Sequence, residues 1–320
     1  MNPRTLAVVA GIALVVGLAA VDAFRSDQAG PRTTETTETA EATTAPTGTG
    51  PVPGLRVAGT LVYTDARDCV VHELVTGSGD EFPHPRLATD CRLTGAPVSG
   101  RIAVGVGGFG RTARFRFLDL QDVSLRLPVA SGRFESIAWS PDGQLAAWCR
   151  GTRDAFELQL LGRRPRRLRT CPLAYSPSGR LLYARGRTVF AGHGRVVSAP
   201  RPVVFALWPP NGRLFLVLRG GFAQSSPGPL VAIPGGTPQV KPVVSPDGCA
   251  ALVARTEQVL LVDACRPARS RAYRGTAGAW SPNGKWIAVA DGAGIDFYDL
   301  RDREHAAARW NRPAAALLWR

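Results

Sequence analysis

The chain of 320 residues has few side chains suited to acid–base or metal chemistry. No Cys-x-x-Cys pair occurs, which argues against a structural zinc site. There are only four histidines, and their wide spacing does not favour one shared metal ion: His72, His84, His193 and His305. No Ser/His/Asp arrangement is evident either. The sequence therefore predicts no catalytic residue, no metal site and no cofactor.

The sequence also lacks the features of a helical bundle or of a disordered chain. Glycine (35 residues) and proline (26 residues) are abundant, which favours a fold with many turns. The hydrophobic fraction of 45% is normal for a globular core, and this excludes wholesale disorder. Acidic residues are outnumbered, with Asp and Glu totalling 25 against 39 Lys and Arg, a net charge of +14.

Residues 1–30 are predicted to be an N-terminal signal-anchor or signal peptide. Residues 6–21 carry no charge, and Arg4 precedes them. This run is longer than the apolar part of most signal peptides and shorter than a full bilayer span. The positive charge before it favours export of everything that follows. We expect a single membrane-spanning helix that tethers the protein, the alternative being secretion after cleavage near Ala23.

Residues 31–53 are predicted to be a disordered linker. The segment is rich in Thr, Glu and Pro and has one Val and no aromatic residue. Such a composition cannot bury enough apolar surface to offset the entropy lost on ordering. Residues 1–53 carry a net charge of −2, so the remaining residues carry +16.

Residues 54–320 contain a repeat of about 36 residues. Its marker is a Ser-Pro-Asp-Gly-like turn between two apolar runs, and in such a turn Pro presets φ while Gly supplies a positive φ. Five copies are clear, and they begin at Ser140, Ser176, Pro209, Ser245 and Ser281. A weaker copy ends at Gly100.

The two ends of this region complete each other. The segment after Gly59 resembles the second and third strands of a unit without a first strand, and Ala314–Trp319 supplies a first strand without the rest. Pairing them gives seven units of four strands, a closed seven-bladed β-propeller in an all-β fold class. Six blades are the alternative if one weak copy is only a loop.

The Ser-Pro-Asp-Gly turns resemble the WD-like repeats of the TolB-type β-propellers. The resemblance covers residues 59–320, although no α/β domain precedes the propeller here. It implies a bacterial envelope protein used for interaction, and it carries over no catalytic residue. On this basis we expect the propeller to lie outside the bacterial cell membrane.

Six cysteines in an exported domain suggest three disulfide bonds. In the blade frame, residues that share an end of the propeller can be paired. This predicts three bridges, each adding about 3 kcal/mol: Cys69–Cys91, Cys149–Cys171 and Cys249–Cys265.

Two further motifs bear on function. The run Gly105-Val-Gly-Gly-Phe-Gly110 matches a dinucleotide-binding pattern, but an alternating strand follows it where a helix is needed, so a loop is favoured. The densest basic run is a candidate contact for an anionic surface, or simply a solvated outer strand that discourages edge pairing. Its arginines are Arg163, Arg164, Arg166, Arg167 and Arg169.

The sequence favours a non-enzymatic, envelope-tethered scaffold for a protein or an anionic wall polymer. The alternatives are a propeller enzyme, such as a lyase or hydrolase with its site at the channel mouth, and an extracellular ligand sensor. A monomer is expected. Nucleic acid is not expected as a partner, because the basic run lacks aromatic residues on which bases would stack.

Overall fold

The computed structural model describes the propeller region of the chain. It covers residues 55, 57–84, 90–96, 99–107, 113–122, 127, 129–152, 155–161, 163–168, 170–301 and 306–320. The predicted anchor (1–30) and linker (31–53) lie outside the described residues. In the described ranges, no helix has the length and apolar character needed to cross a membrane.

The described residues form seven sheets of four antiparallel strands, and this confirms seven blades. The inner strands of blades 1 to 7 are β28 (Ala314–Trp319), β4 (Leu93–Gly95), β8 (Ala138–Trp139), β12 (Ala174–Tyr175), β16 (Val203–Leu207), β20 (Val243–Val244) and β24 (Ala277–Trp280). The second strands, in the same order, are β1 (Thr60–Asp65), β5 (Arg101–Gly107), β9 (Ala146–Thr152), β13 (Leu181–Arg185), β17 (Leu214–Leu218), β21 (Ala250–Ala254) and β25 (Trp286–Ala290).

Two more strands complete each blade. The third strands are β2 (Val71–Val75), β6 (Ala113–Asp119), β10 (Ala155–Leu160), β14 (Thr188–Ala191), β18 (Phe222–Ser226), β22 (Gln258–Asp263) and β26 (Ile295–Asp299). The outer strands are β3 (Glu81–His84), β7 (Val129–Gly132), β11 (Arg163–Leu168), β15 (Gly194–Ser198), β19 (Val231–Ala232), β23 (Arg271–Arg274) and β27 (Ala308–Trp310). Two 3-10 turns, Phe134–Ser136 and Pro267–Arg269, are the helical elements of the described residues.

The repeated motif forms the turn between the inner and second strands. In blade 3 the Ser140 hydroxyl donates to the Asp142 carboxylate at 2.5 Å and accepts from the Leu145 N–H at 2.9 Å. Gly143 has a φ of 68°, a left-handed conformation that favours glycine. Blades 6 and 7 repeat the two bonds from Ser245 and Ser281. The turn residues are therefore structural.

The core is divided among the seams between blades. Seven apolar clusters are present, and each joins the facing sides of two neighbouring blades. The seam between blades 2 and 3, for example, packs Phe115 and Phe117 edge-on against Trp148 and Trp139. Each blade contributes apolar side chains to two seams, because successive side chains along a strand point to opposite faces of the sheet.

The two ends of the propeller region meet in blade 1. Leu61 pairs with Trp319, Val62 with Leu318 and Tyr63 with Leu317. At Gly59 an added Cβ would lie 2.8 Å from the Trp319 indole nitrogen, so the close approach of the two segments requires glycine there. The predicted closure of the ring by the C-terminal strand is confirmed.

All three disulfide bonds form with the pairing expected from the blade frame: Cys69–Cys91, Cys149–Cys171 and Cys249–Cys265. The first joins the loop between β1 and β2 to the loop that leads into blade 2, and the second joins strand β9 of blade 3 to the loop that leads into blade 4. The third links the beginning of β21 to the end of β22.

Candidate functional site

The propeller has two chemically distinct ends. The turn end carries the Ser-Pro-Asp-Gly turns. The loop end carries the loops between second and third strands together with the loops that connect successive blades. Binding residues tend to lie on such loops, which a rigid scaffold positions.

Acidic residues are absent from a long part of the chain. Residues 158–246 contain no Asp or Glu and thirteen Lys and Arg. In the structure this stretch forms the outer strand of blade 3 together with blades 4 and 5. We call it the basic sector. It occupies one continuous part of the ring, and the nearest acidic residues in sequence, Glu157 and Asp247, lie at its two edges.

The arginines of the basic sector point into solvent. Eleven of them are described and all are exposed: Arg163, Arg164, Arg166, Arg167, Arg180, Arg185, Arg187, Arg195, Arg201, Arg213 and Arg219. None of these eleven forms an ion pair with another described residue, whereas nine ion pairs lie in blades 1, 2 and 7. They are therefore free to bind an external anion.

Four of these arginines gather at the loop end of blades 4 and 5. Backbone hydrogen bonds tie their segments together: Val203 N–H donates to the Gly186 carbonyl, and Arg219 N–H to the Pro202 carbonyl, both at 2.8 Å. Ala199 N–H donates to the Arg187 carbonyl, also at 2.8 Å. We call this group the arginine quartet: Arg185, Arg187, Arg201 and Arg219.

Aromatic rings support two members of the quartet. The Arg201 guanidinium lies 4.2 Å from the centre of the Phe222 ring. The Arg185 guanidinium lies 5.9 Å from Tyr183 and 5.8 Å from Phe190, which are themselves stacked. A guanidinium held over a ring loses less freedom on binding, and its planar donors suit carboxylate and phosphate oxygens.

The basic run singled out from the sequence belongs to the same sector. Its residues form β11, the outer strand of blade 3, which pairs with β10 through Glu157–Arg167 and Leu158–Arg166. Arg163, Arg164, Arg166 and Arg167 are exposed there, and Arg169 lies outside the described residues. The run is thus one edge of a larger basic surface.

Two open grooves flank the sector on blade 6. One, of about 660 Å³, lies at the loop end and is lined by Arg255, Arg274 and Glu257 among others. Arg255 is fixed there by the Pro234 and Gly236 carbonyls at 3.1 and 2.6 Å. The other, of about 530 Å³, lies at the turn end between blades 6 and 7. Both extend the positive surface beyond blade 5.

The seam between blades 1 and 7 contains a polar cluster that sequence reasoning missed. Glu81 accepts a hydrogen bond from the Tyr63 hydroxyl and lies 3.2 Å from His72 Nδ1 and 3.4 Å from Arg312 Nη2. Burial would raise the pKa of Glu81, but the contacts with His72, Tyr63 and Arg312 outweigh it, so the pKa is lowered. Burial beside this carboxylate raises the pKa of Tyr63.

A second polar cluster lies on the opposite side of blade 1, against blade 2. Glu73 accepts hydrogen bonds from Arg320 at 2.6 Å and pairs with His84 Nε2 at 2.9 Å. Burial would raise the pKa of Glu73, but these two partners outweigh it and hold the pKa below its usual value. The Arg320 side chain is thereby held against β2, the third strand of blade 1.

His84 lies on the outer strand β3, where it can reach Glu73. Acid and base groups do come together at Glu81, yet they lie on the outer half of a blade, away from the channel. In the described part of the chain, no three His, Cys, Asp or Glu side chains gather to hold a metal ion.

One feature of the sequence marks the basic sector, although the overall composition does not show it. The net charge is a sum over the whole chain, and the basic run at 163–169 covers only one strand. The spacing of Asp and Glu along the chain, with none between Glu157 and Asp247, marks the sector directly.

Comparisons with known proteins show likeness of fold. No protein-family model matches the chain, and no curated protein matches its sequence. Among solved structures, TolB from Acinetobacter baumannii is 14% identical over 82% of this chain and 66% of its own, with a TM-score of 0.45. The chain thus spans about two thirds of the length of that TolB chain.

Two other solved structures are similar. The dihydro-heme d1 dehydrogenase NirN is 14% identical over 84% of this chain and 78% of its own, with a TM-score of 0.50. The C-terminal WD40 domain of Sif2 is 14% identical over 81% and 82%, with a TM-score of 0.46. The predicted resemblance to TolB-type and WD-like propellers is confirmed at the level of the fold.

Proposed function

We propose that this chain is a non-enzymatic interaction scaffold whose basic sector binds an anionic polymer of the bacterial envelope. The observation that carries the proposal is the basic sector itself: eleven exposed arginines without a described acidic partner. A surface of one sign attracts and retains a partner of the opposite sign.

The distribution of the arginines favours a polymer over a compact ligand. They occupy the loop end, the turn end and the outer strand of blade 3, so the charge follows an extended path. A flexible chain of repeated carboxylates or phosphates can contact such a path at many points, and a small anion cannot. An acidic protein is the second candidate partner.

Attachment to the envelope is part of the proposal. It is supported by the apolar residues 6–21, which fit an anchor, and by the three disulfide bonds, which are typical of oxidising compartments. The enzyme alternative has less support, because the acid and base groups that meet in blade 1 are engaged by Arg312 and Arg320.

Binding of the full chain to polyphosphate and to polyglutamate at several salt concentrations tests this function. We expect affinity for at least one polymer to fall steeply with salt, since bound cations of the polymer are released. Changing the arginine quartet to glutamine should weaken binding and flatten the salt dependence.

A matched control removes four exposed arginines from blades 1 to 3 that line neither groove: Arg67, Arg114, Arg116 and Arg150. It lowers net charge by the same amount and should weaken binding much less. Equal loss in the two variants would show that total charge matters and the sector does not. Binding of acidic proteins from an envelope extract, without either polymer, would favour the protein partner.

A further inference from the structure

A lysine reaches across the central channel at the loop end. Lys241 precedes the inner strand of blade 6, and its Nζ donates to the carbonyl of Ile137 at 3.2 Å. Ile137 precedes the inner strand of blade 3. Blades 3 and 6 are three positions apart, which is the largest separation possible in a ring of seven blades. The side chain therefore crosses the channel.

No carboxylate among the described residues pairs with the amine of Lys241. Its one partner among the described residues is the Ile137 carbonyl, although an ammonium group has three N–H donors. At the same end of blade 2, Asp90 is already engaged by the Arg92 side chain and the Gly107 N–H. The nearest carboxylate in sequence, Asp247, lies in the turn at the opposite end of the inner strand β20, where it accepts from the Ser245 hydroxyl.

Keeping the Lys241 ammonium group without a charged partner in these surroundings costs free energy. Burial lowers the pKa of Lys241 to about 8, and no charged neighbour contributes to the change. Part of the side chain is nevertheless open to solvent, while Ile137 and Pro242 beside it are buried. A charge held in such a place is stabilised only by a partner of opposite sign.

We propose that Lys241 binds a small oxyanion, carrying a carboxylate or phosphate group, where its side chain crosses the channel. The anion supplies a charge of opposite sign and acceptors for the two N–H donors that have no partner among the described residues. The choice of residue fits this role, because lysine changes its protonation with its surroundings and arginine does not. The polymer-binding proposal rests on the eleven exposed arginines, and Lys241 is not one of them, so either proposal can fail alone.

The chain offers a sharp test because it has only two lysines, Lys241 and Lys285. Full-length protein labelled with carbon-13 lysine gives two side-chain signals by NMR, and exposed Lys285 is the internal control. Each signal is titrated with pH in chloride buffer, then with acetate or inorganic phosphate added. An anion that binds the ammonium form raises the midpoint of Lys241 by about one pH unit at ten times its Kd.

We expect a saturable rise for Lys241 and none for Lys285. A response to acetate alone identifies a carboxylate ligand, and a response to phosphate alone identifies a phosphate ligand. Equal, unsaturable changes at the two lysines indicate charge screening and would overturn the proposal, as would no change at Lys241.

A second measurement uses the melting temperature. The active anion should raise it in the natural protein and in Lys285→Met, but not in Lys241→Met. A rise of the same size in Lys241→Met contradicts the site. Should Lys241→Met fail to fold, the NMR titration of the natural chain decides the question by itself.

Discussion

Blade 1 and the basic sector handle charge in opposite ways. Around blade 1, Glu73 and Glu81 sit between blades and are each paired with an arginine from the end of the chain. In blades 4 and 5, the arginines are exposed and have no described acidic partner. The first arrangement stabilises the ring, and the second leaves charge available for binding. The effect of a charged residue on stability therefore depends on its position in the fold and not on the total charge of the chain.

Removing one side of a blade 1 ion pair should have the largest effect. Glu73→Gln leaves Arg320 without its carboxylate partner in a mostly buried position, since the Arg320 side chain is 15% exposed. We expect a loss of about 2–4 kcal/mol in the free energy of unfolding. Urea denaturation of the full chain measures it.

The matched change in the basic sector is Arg213→Gln, which removes an exposed and unpaired charge. It should alter the unfolding free energy by less than about 0.5 kcal/mol. Similar losses of unfolding free energy in the two variants would show that charge contributes to stability equally in blade 1 and in the basic sector.

Acid should weaken blade 1 before it affects the basic sector. The pKa of Glu73 and of Glu81 is lowered in the folded protein from the unfolded value of 4.5. Their contribution to stability is therefore complete above that value and is lost as pH falls through the folded pKa values. Melting temperatures between pH 6 and pH 3 should fall, and less steeply in Glu73→Gln combined with Glu81→Gln. An identical slope in that double variant would assign acid sensitivity to other carboxylates.

The smallest expected effect is a gain in the stability of the fold. Arg187→Glu places a carboxylate among unopposed arginines and should stabilise the fold by about 0.3 kcal/mol at low salt, with the gain vanishing at high salt. The contrasting change is Arg301→Glu, which sets a second carboxylate beside Asp299 and should destabilise. Thermal melts at two ionic strengths distinguish the outcomes. A gain that persists in high salt would point to a cause other than charge repulsion.

Most of the fold could be predicted because its information is local and repeated. Each turn such as Ser140-Pro-Asp-Gly143 carries its own conformational preference, and the repeat spacing counts the blades. The disulfide pairing followed from the strand order, since Cys69 and Cys91 share an end of the ring.

The polar clusters could not be predicted in the same way. Glu81 meets Arg312 only because the chain closes on itself, and Lys241 meets Ile137 only because two opposite blades face one channel. Neither contact leaves a local pattern in the sequence. The arginine quartet is intermediate: its residues are visible in the sequence, but only the loop hydrogen bonds bring them together.

The pairing of β1 with β28 also sets the timing of folding during synthesis. Thr60 cannot form its backbone hydrogen bonds with Arg320 until all the residues between them have been synthesised. Until then blade 1 exposes the inner edge of Leu61 and Val62 as an unpaired strand. Blades 2 to 7 can assemble one after another, each on its predecessor, while the first remains unfinished. A chain interrupted before Ala314 would thus leave the inner edge of β1 unpaired, an exposed apolar strand that chaperones and proteases recognise.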